Sequence, residues 1–321
     1  MKKSPDALLI LRVRVQNANA ISSPLTWGFP APTAFVGFVH ALHRSVHELG
    51  EFDDLTVDGV GIVCHRIEPQ VAQPAGRRHK VLSLTRNPLT KEGRTAAIVE
   101  EGRVHLELSL VIGLHGLYAL ENCEGESAAR LAARLHDLIG AMRLAGGSIF
   151  PAANPRHRVP RVLPWPAGNP DGARKMTITL RRQLLPGFVL VDRTPLLAER
   201  VKEMQLTNPE ANALDALFDL AGITWEYQAD PDHPERRQWK IREKKGWLVP
   251  LPLGYSALGK LHPPGSVKGA RDASVYFRFV ESVVGLGQWL SPHRVENLES
   301  LLWFHHAEIE YGQYRCIQAL A

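Results

Sequence analysis

The run Leu8–Leu42 constrains this chain most, because three elements follow one another there without a gap. Leu8–Gln16 alternates: Leu9, Leu11, Val13 and Val15 point one way, and Arg12, Arg14 and Gln16 point the other. That is the period of a strand with a core face and an Arg-bearing face. The loop after it carries Asn17, Asn19, Ser22, Ser23 and Thr26, all short hydrogen-bonding side chains, with Trp27 as a flat apolar surface. Pro30 and Pro32 stiffen its exit, and Pro32 suits the first turn of a helix, where a missing N–H costs little. Thr33 is placed to cap if the helix begins one residue later. Phe35, Val39, Leu42 and Val46 then form one apolar stripe at helical spacing. Gly37 inside that helix costs about 1 kcal/mol against Ala, which predicts close backbone packing there. A rigid polar loop at a helix N-terminus can present N–H groups to an anion.

The later elements extend the pattern. Asp58–Arg66 is a second strand. Residues 68–102 read as a basic β-hairpin or arm, with seven Lys or Arg against three Glu between Arg77 and Arg103 and turn signals at Asn87-Pro88 and Glu92-Gly93. Arg103–Ile112 alternates as a strand. Ser127–Leu144 is a helix with Leu131, Leu135, Leu138 and Met142 inward, ended by Gly146-Gly147. Ser148–Phe150 begins a fourth strand. The order β-α-β-β-α-β is that of a ferredoxin-like or RNA-recognition domain. The expected class is therefore α+β, with a ferredoxin-like (RRM-like) domain over 1–150 and a C-terminal mixed α/β region over 151–321.

Within that second region, Pro151–Asp171 reads as a loop and Lys175–Leu185 as strand-like, turning at Pro186-Gly187 into Phe188–Val191. Helices are expected over Pro195–Gln205 and over Pro209–Ala221, the latter capped by Asn208 and ended by Gly222. Gln228–Lys245 reads as an exposed loop, and Gly246–Tyr255 and Tyr276–Val280 as short apolar segments. Ser291-Pro292 opens a last helix with Val295, Leu298 and Leu302 inward.

Composition narrows the function. Hydrophobic residues make up 45% of the 321 residues, enough for a sizeable core. The net charge of +5 permits a polyanionic partner. Three cysteines without C-x-x-C spacing argue against a disulfide framework or a zinc module, and Cys64, in an apolar strand, reads as a buried thiol. No apolar run reaches transmembrane length and no signal-peptide pattern opens the chain, so a cytoplasmic protein with no membrane partner is the expectation.

Phosphate-loop, dinucleotide and nucleophile-elbow motifs are missing: Gly59-x-Gly61 and Gly285-x-Gly287 lack a third glycine, and Gly254–Gly259 misses G-x-S-x-G by one residue. His40, His43 and His47 share a helix face, but no carboxylate or cysteine joins them at ligand spacing. His305-His306 reads as packing at a helix end, or as favourable placement near the negative helix terminus. Neither a metal nor a cofactor is implied.

What remains is a constellation suited to nucleic acid. Arg77, Arg78, Lys80 and Arg86 lie on the arm beside Asn87, and Arg12 and Arg14 on the sheet face. Asn17, Asn19, Ser22 and Ser23 lie in the loop. Gly146 and Gly147 offer bare backbone to a phosphate. Trp27 and Phe29 offer rings for stacking on bases.

Seven blocks carry a family resemblance: QNANAISSPLTWGFPAPTAFVGFVHAL (16–42), DGVGIVCHR (58–66), LTRNPLTKEGRTAAIVEEGR (84–103), AMRLAGGSI (141–149), LLPGF (184–188), GWLVPLPLGY (246–255) and GLGQWLSPHRV (285–295). Through them the chain resembles the second Csy subunit of type I-F CRISPR–Cas surveillance complexes, in the Cas-five group of the RAMP superfamily. The resemblance implies a ferredoxin-like core with a protruding thumb hairpin, to which the arm at 68–102 corresponds, and a glycine-rich loop at 146–147. It implies a non-catalytic antiviral-defence role: binding the 5′ handle of the CRISPR RNA (crRNA) with the large subunit, beside a Cas-seven-type backbone subunit, with target DNA as a further partner of the assembled complex. Two other roles stay open from the residues alone. A metal-independent endoribonuclease acting on repeat RNA would use His79 beside Lys80, or Tyr118 near His115. A protein adaptor would use exposed apolar segments such as 246–255.

Overall fold

The computed structural model describes the chain except residues 1–3, 53, 83, 87, 88, 90, 91, 96, 97, 101, 117–125, 230–236, 245 and 319–321, and the side chains of 84–86 and 98–100. Strand β1 (Ala7–Asn19) leads through a small hairpin, β2 (Ile21–Ser23) and β3 (Thr26–Trp27), into α1 (Pro32–Glu48). Pro32 opens that helix as expected, and Ala31, not Thr33, stands at its N-cap without a side-chain cap. β4 (Thr56–Pro69) follows, then the arm with β5 (Val71–Ala72), β6 (Val81–Leu82), β7 (Leu84–Arg86) and β8 (Ile98–Glu100), then β9 (Arg103–His115). Helix α2 (Glu126–Ala141) precedes β10 (Arg143–Leu144) and β11 (Gly147–Pro151).

Three long strands and the short β11 pair antiparallel in the order β11-β1-β9-β4. Both helices cover one face. Phe35, Val39, Leu42 and Val46 of α1 and Leu131, Leu135 and Ile139 of α2 are buried with Leu9, Leu11, Val13 and Val15 of β1 in one cluster. The stripes read from the sequence therefore build the core as expected. Gly37 differs: it is exposed, and a Cβ there would meet nothing within 4 Å. Helix α2 also stops before Leu144, whose buried side chain goes to a strand.

The chain continues through β12 (Arg161–Pro164), α3 (Pro170–Leu180), β13 (Phe188–Asp192), α4 (Pro195–Gln205), α5 (Ala213–Ala221), β14 (Trp225–Ala229), β15 (Arg237–Ile241), β16 (Trp247–Ala257), β17 (Val280–Leu290), β18 (Trp303–Glu308) and β19 (Gln313–Gln318). The sheet runs on from β4 into β13-β17-β16-β19-β18, and β18 returns to β4 at Trp303↔Val60. Six strands thus close a ring that shares β4 with the first half. No described helix is long and apolar enough to cross a membrane.

Several expectations for the second half are corrected. The Pro-rich stretch 151–171 is not all loop: β12 pairs with Ala7–Ile10 of β1. Lys175–Leu185 is not a strand. Asn169 accepts from the Gly172 N–H, Pro170 starts the helix, and Ala173, Thr177 and Leu180 are buried at helical spacing, so capping outweighs the β-branched run. Helix α5 starts later than expected, because Asn212 and Asp215 form a reciprocal capping box. Residues 228–245 include half of a hairpin, with Tyr227 opposite Trp239 and ring centroids 5.3 Å apart. The last expected helix is two short 3-10 turns, Pro292–Arg294 and Leu298–Leu301, although Val295, Leu298 and Leu302 are buried as expected. His305 and His306 accordingly lie on a strand, not at a helix end.

Candidate nucleic-acid interface

A cleft of about 720 Å³ lies at the N-terminus of α1. Three features from distant parts of the chain meet there. The first is the helix end itself, Ala31, Thr33 and Ala34, with no acidic residue in its first turn. The positive end of the helix dipole is therefore left for an anion. The second is the two-residue turn Ala145-Gly146 joining β10 to β11. Both residues have positive φ, 50° and 78°, which is the backbone of a tight I′ hairpin turn and explains a glycine there. Gly147, just after the turn, lies against β1: a Cβ would sit 2.6 Å from the Gln16 carbonyl oxygen and 2.7 Å from the Ala18 nitrogen. The third is a cross-strand pair, Tyr255 on β16 opposite Tyr314 on β19. Burial pushes the Tyr314 hydroxyl up to about 12, so it stays a neutral donor.

The loop hydroxyls behave differently from the reading of freely offered polar groups. Asn19 bonds both ways with the backbone of Ile21 at 2.8 and 3.0 Å. The Ser22 and Ser23 hydroxyls each lie 2.8 Å from the Thr26 hydroxyl, and Ser23 is buried. These bonds fix the loop's shape, while Asn19 and Ser22 still line the cleft. Phe29, expected to offer a stacking face, packs inward, edge-on to Trp289 at 4.9 Å and against Phe35 at 5.7 Å. Trp27 remains 58% exposed and lines a neighbouring apolar cleft of about 330 Å³ with Val249, Pro250 and Trp289.

The cationic candidates divide. Arg12 is turned into an ion pair with Glu107 at 2.9 Å, its side chain only 12% exposed. Leu8 and Ile10 on the same face are buried under α3 and its neighbours, so the expected open Arg-bearing face exists only beyond Arg12. Arg14 is exposed and donates to the Pro151 carbonyl. It lines a small groove with Arg66, His105 and Glu68. Asn17 sits at a bulge in β1 with φ of 57°, its N–H donating to His105. The arm leaves the sheet where the Gln70 N–H meets the Arg103 carbonyl. Among the described residues its strands pair as β5–β6 and β7–β8, and Arg77, Arg78, His79 and Lys80 are all exposed. The Arg86 side chain, Asn87 and Tyr118 lie outside the described residues.

Sequence reading missed Tyr255 and Tyr314. Tyr255 ends the GWLVPLPLGY block, but nothing local marks it as facing a helix terminus. Tyr314 becomes visible only through strand pairing. Cys64 is half-buried, not fully so, with its thiol pushed up to about 12 by burial, which leaves it unreactive.

The family model for the CRISPR-associated protein Cas_Csy2 matches residues 8–316. The chain belongs to the Csy2 family of CRISPR-associated proteins. It is 53% identical over 317 residues to the CRISPR-associated protein Csy2 of Pseudomonas aeruginosa (strain UCBPP-PA14), covering 97% of this chain and 95% of that relative. The Csy2 resemblance read from the sequence blocks is thus borne out over nearly the whole chain. The cleft, the glycine turn and the arm all fall inside the matched span.

Proposed function

We propose that this Csy2-family chain is a non-catalytic, crRNA-binding subunit of a type I-F surveillance complex. It holds the 5′ handle together with the large subunit, next to a Cas-seven-type backbone subunit. The observation that carries this reading is the meeting of the α1 N-terminus, the 145–146 turn and the Tyr255–Tyr314 pair in one cleft. A phosphate fits the helix terminus and the bare turn, and an unstacked base fits a tyrosine face. Arg77, Arg78 and Lys80 on the arm supply salt-dependent phosphate contacts. The strand order β11-β1-β9-β4, with both helices on one face, supports a ferredoxin-like core, and the paired ribbons of the arm support a thumb. The described residues lining the cleft include no carboxylate, imidazole or thiol, and this favours gripping RNA over cleaving it.

Filter binding of handle RNA to the large-subunit pair tests the arm. Arg77→Ala with Arg78→Ala weakens binding, and the slope of log K against log salt flattens by about 1.4, since each single-strand phosphate contact contributes about 0.7. Unchanged affinity and slope would remove the arm from the proposal.

A further inference from the structure

His40 on α1, Asp58 on β4 and His305 on β18 converge between the helix layer and the closed ring of strands. Nε2 of His40 lies 2.9 Å from Nδ1 of His305, with the rings near perpendicular at 76°. One ring nitrogen of each histidine and a carboxylate oxygen of Asp58 all lie within 4.8 Å of one another, and all three residues are half-buried. Each is placed by the fold and not by local sequence. Gly59 sits at a β-bulge, where the pairing of β4 with β9 slips between Asp58 and Val60, and this shifts the alternation at Asp58. Its φ is 78°, and a Cβ would come within 2.5 Å of the Phe304 ring, so glycine is required. β18 is pinned beside it by Trp303, which is fully buried, pairs with Val60 and donates to the Leu190 carbonyl. His305 follows two residues later, its ring parallel to Tyr314 at 13°.

We propose that His40, Asp58 and His305 form a divalent transition-metal site that ties β18 to α1 and β4. Two imidazole nitrogens and one carboxylate, with a water in the fourth position, are a ligand set that suits Zn²⁺. Tetrahedral ligands at 2.0–2.1 Å stand about 3.3 Å apart. The histidine nitrogens therefore need to open by only about 0.4 Å, which a small ring rotation supplies. With the metal bound, both nitrogens face the cation, and neither needs the shared proton that a bare pair at this distance requires. The role is that of a structural clip: it fixes the strand that carries His305 alongside the one that carries Tyr314.

The test uses the full-length protein stripped of metal by chelation. Calorimetric titration with Zn²⁺ reads one ion per chain, and Co²⁺ substitution gives the visible absorption of a tetrahedral site. His305→Ala and the near-isosteric Asp58→Asn each weaken Zn²⁺ binding by at least about tenfold, the lower end of what even supporting residues of such sites contribute. His43→Ala and His306→Ala leave it unchanged. Far-UV circular dichroism shows that Asp58→Asn keeps the fold. Lack of stoichiometric binding by the unmutated chain overturns the site. So does binding that persists in both ligand variants, or binding lost only with His43 or His306.

Discussion

Gly147→Ala probes the turn that shapes the cleft, and the structure sets its size. A Cβ at this position meets the Gln16 carbonyl oxygen at 2.6 Å, the Ala18 nitrogen at 2.7 Å and Val15 Cγ1 at 2.7 Å. Two of those atoms are backbone of β1, and the third is on a side chain packed in the core, so no flexible side-chain end can swing away. Either β11 or the bulge at 16–17 must move. Overpacking of this kind costs about 1–3 kcal/mol. An unfolding entropy near 2.1 cal/mol/K per residue, over 321 residues, converts that to a fall in Tm of about 1.5–4.5 °C. Gly37→Ala is the matched control: it is an exposed helix-interior glycine with open space for a Cβ. It should gain about 1 kcal/mol, or about 1.5 °C. Differential scanning calorimetry of the two variants against the parent checks both signs. A Gly147→Ala protein that melts with or above the parent would refute the close approach of turn and strand on which the cleft geometry rests.

Two further outcomes follow from the geometry. His65 is held neutral: burial lowers its pKa below 6.5, with Nδ1 donating to the Pro186 carbonyl and Nε2 accepting from Ser109. The unfolded chain then takes up the extra proton, so the stability this histidine contributes is present above pH 6.5 and lost as the pH falls below it. His65→Gln should flatten the decline of Tm on acidification, and an unchanged decline would contradict the buried neutral ring. Tyr255→Ala should weaken handle-RNA binding by about 1–3 kcal/mol while Tyr255→Phe binds as the parent does, because stacking needs the ring and not the hydroxyl; equal affinity of the alanine variant would argue against stacking there.

The first half of the fold was legible because its signals are local. Leu9 to Val15 alternate, Phe35 to Val46 repeat at helical spacing, and Pro32 marks a helix start that the structure keeps, whereas Gly146, expected to end the second helix, turns β10 into β11. The second half misled where local signals conflict. Met176, Thr177, Ile178 and Thr179 suggest a strand, yet the cap at Asn169 and the burial of Thr177 settle a helix. Trp225, Tyr227, Trp239 and Ile241 show the alternation of a hairpin, but a polar, charged segment between them masks it. The site was half legible. Asn19, Ser22 and Gly146 were marked by residue type, and the arm by its charge. Tyr255 and Tyr314 meet only because β16 pairs with β19, and His40 finds Asp58 and His305 only through sheet closure; neither leaves a spacing in the sequence. Arg12 shows the reverse error, since an alternating arginine reads as exposed until its partner strand brings Glu107 beside it.

The central claim, that this chain grips an unpaired ribonucleotide segment, is tested most directly by crosslinking. The assembled complex is prepared with guide RNA carrying 4-thiouridine in the handle, irradiated, digested and analysed by mass spectrometry. Adducts are expected on peptides of this chain that contain Tyr255, Tyr314 or Arg77–Lys80. Adducts confined to the other subunits would contradict it.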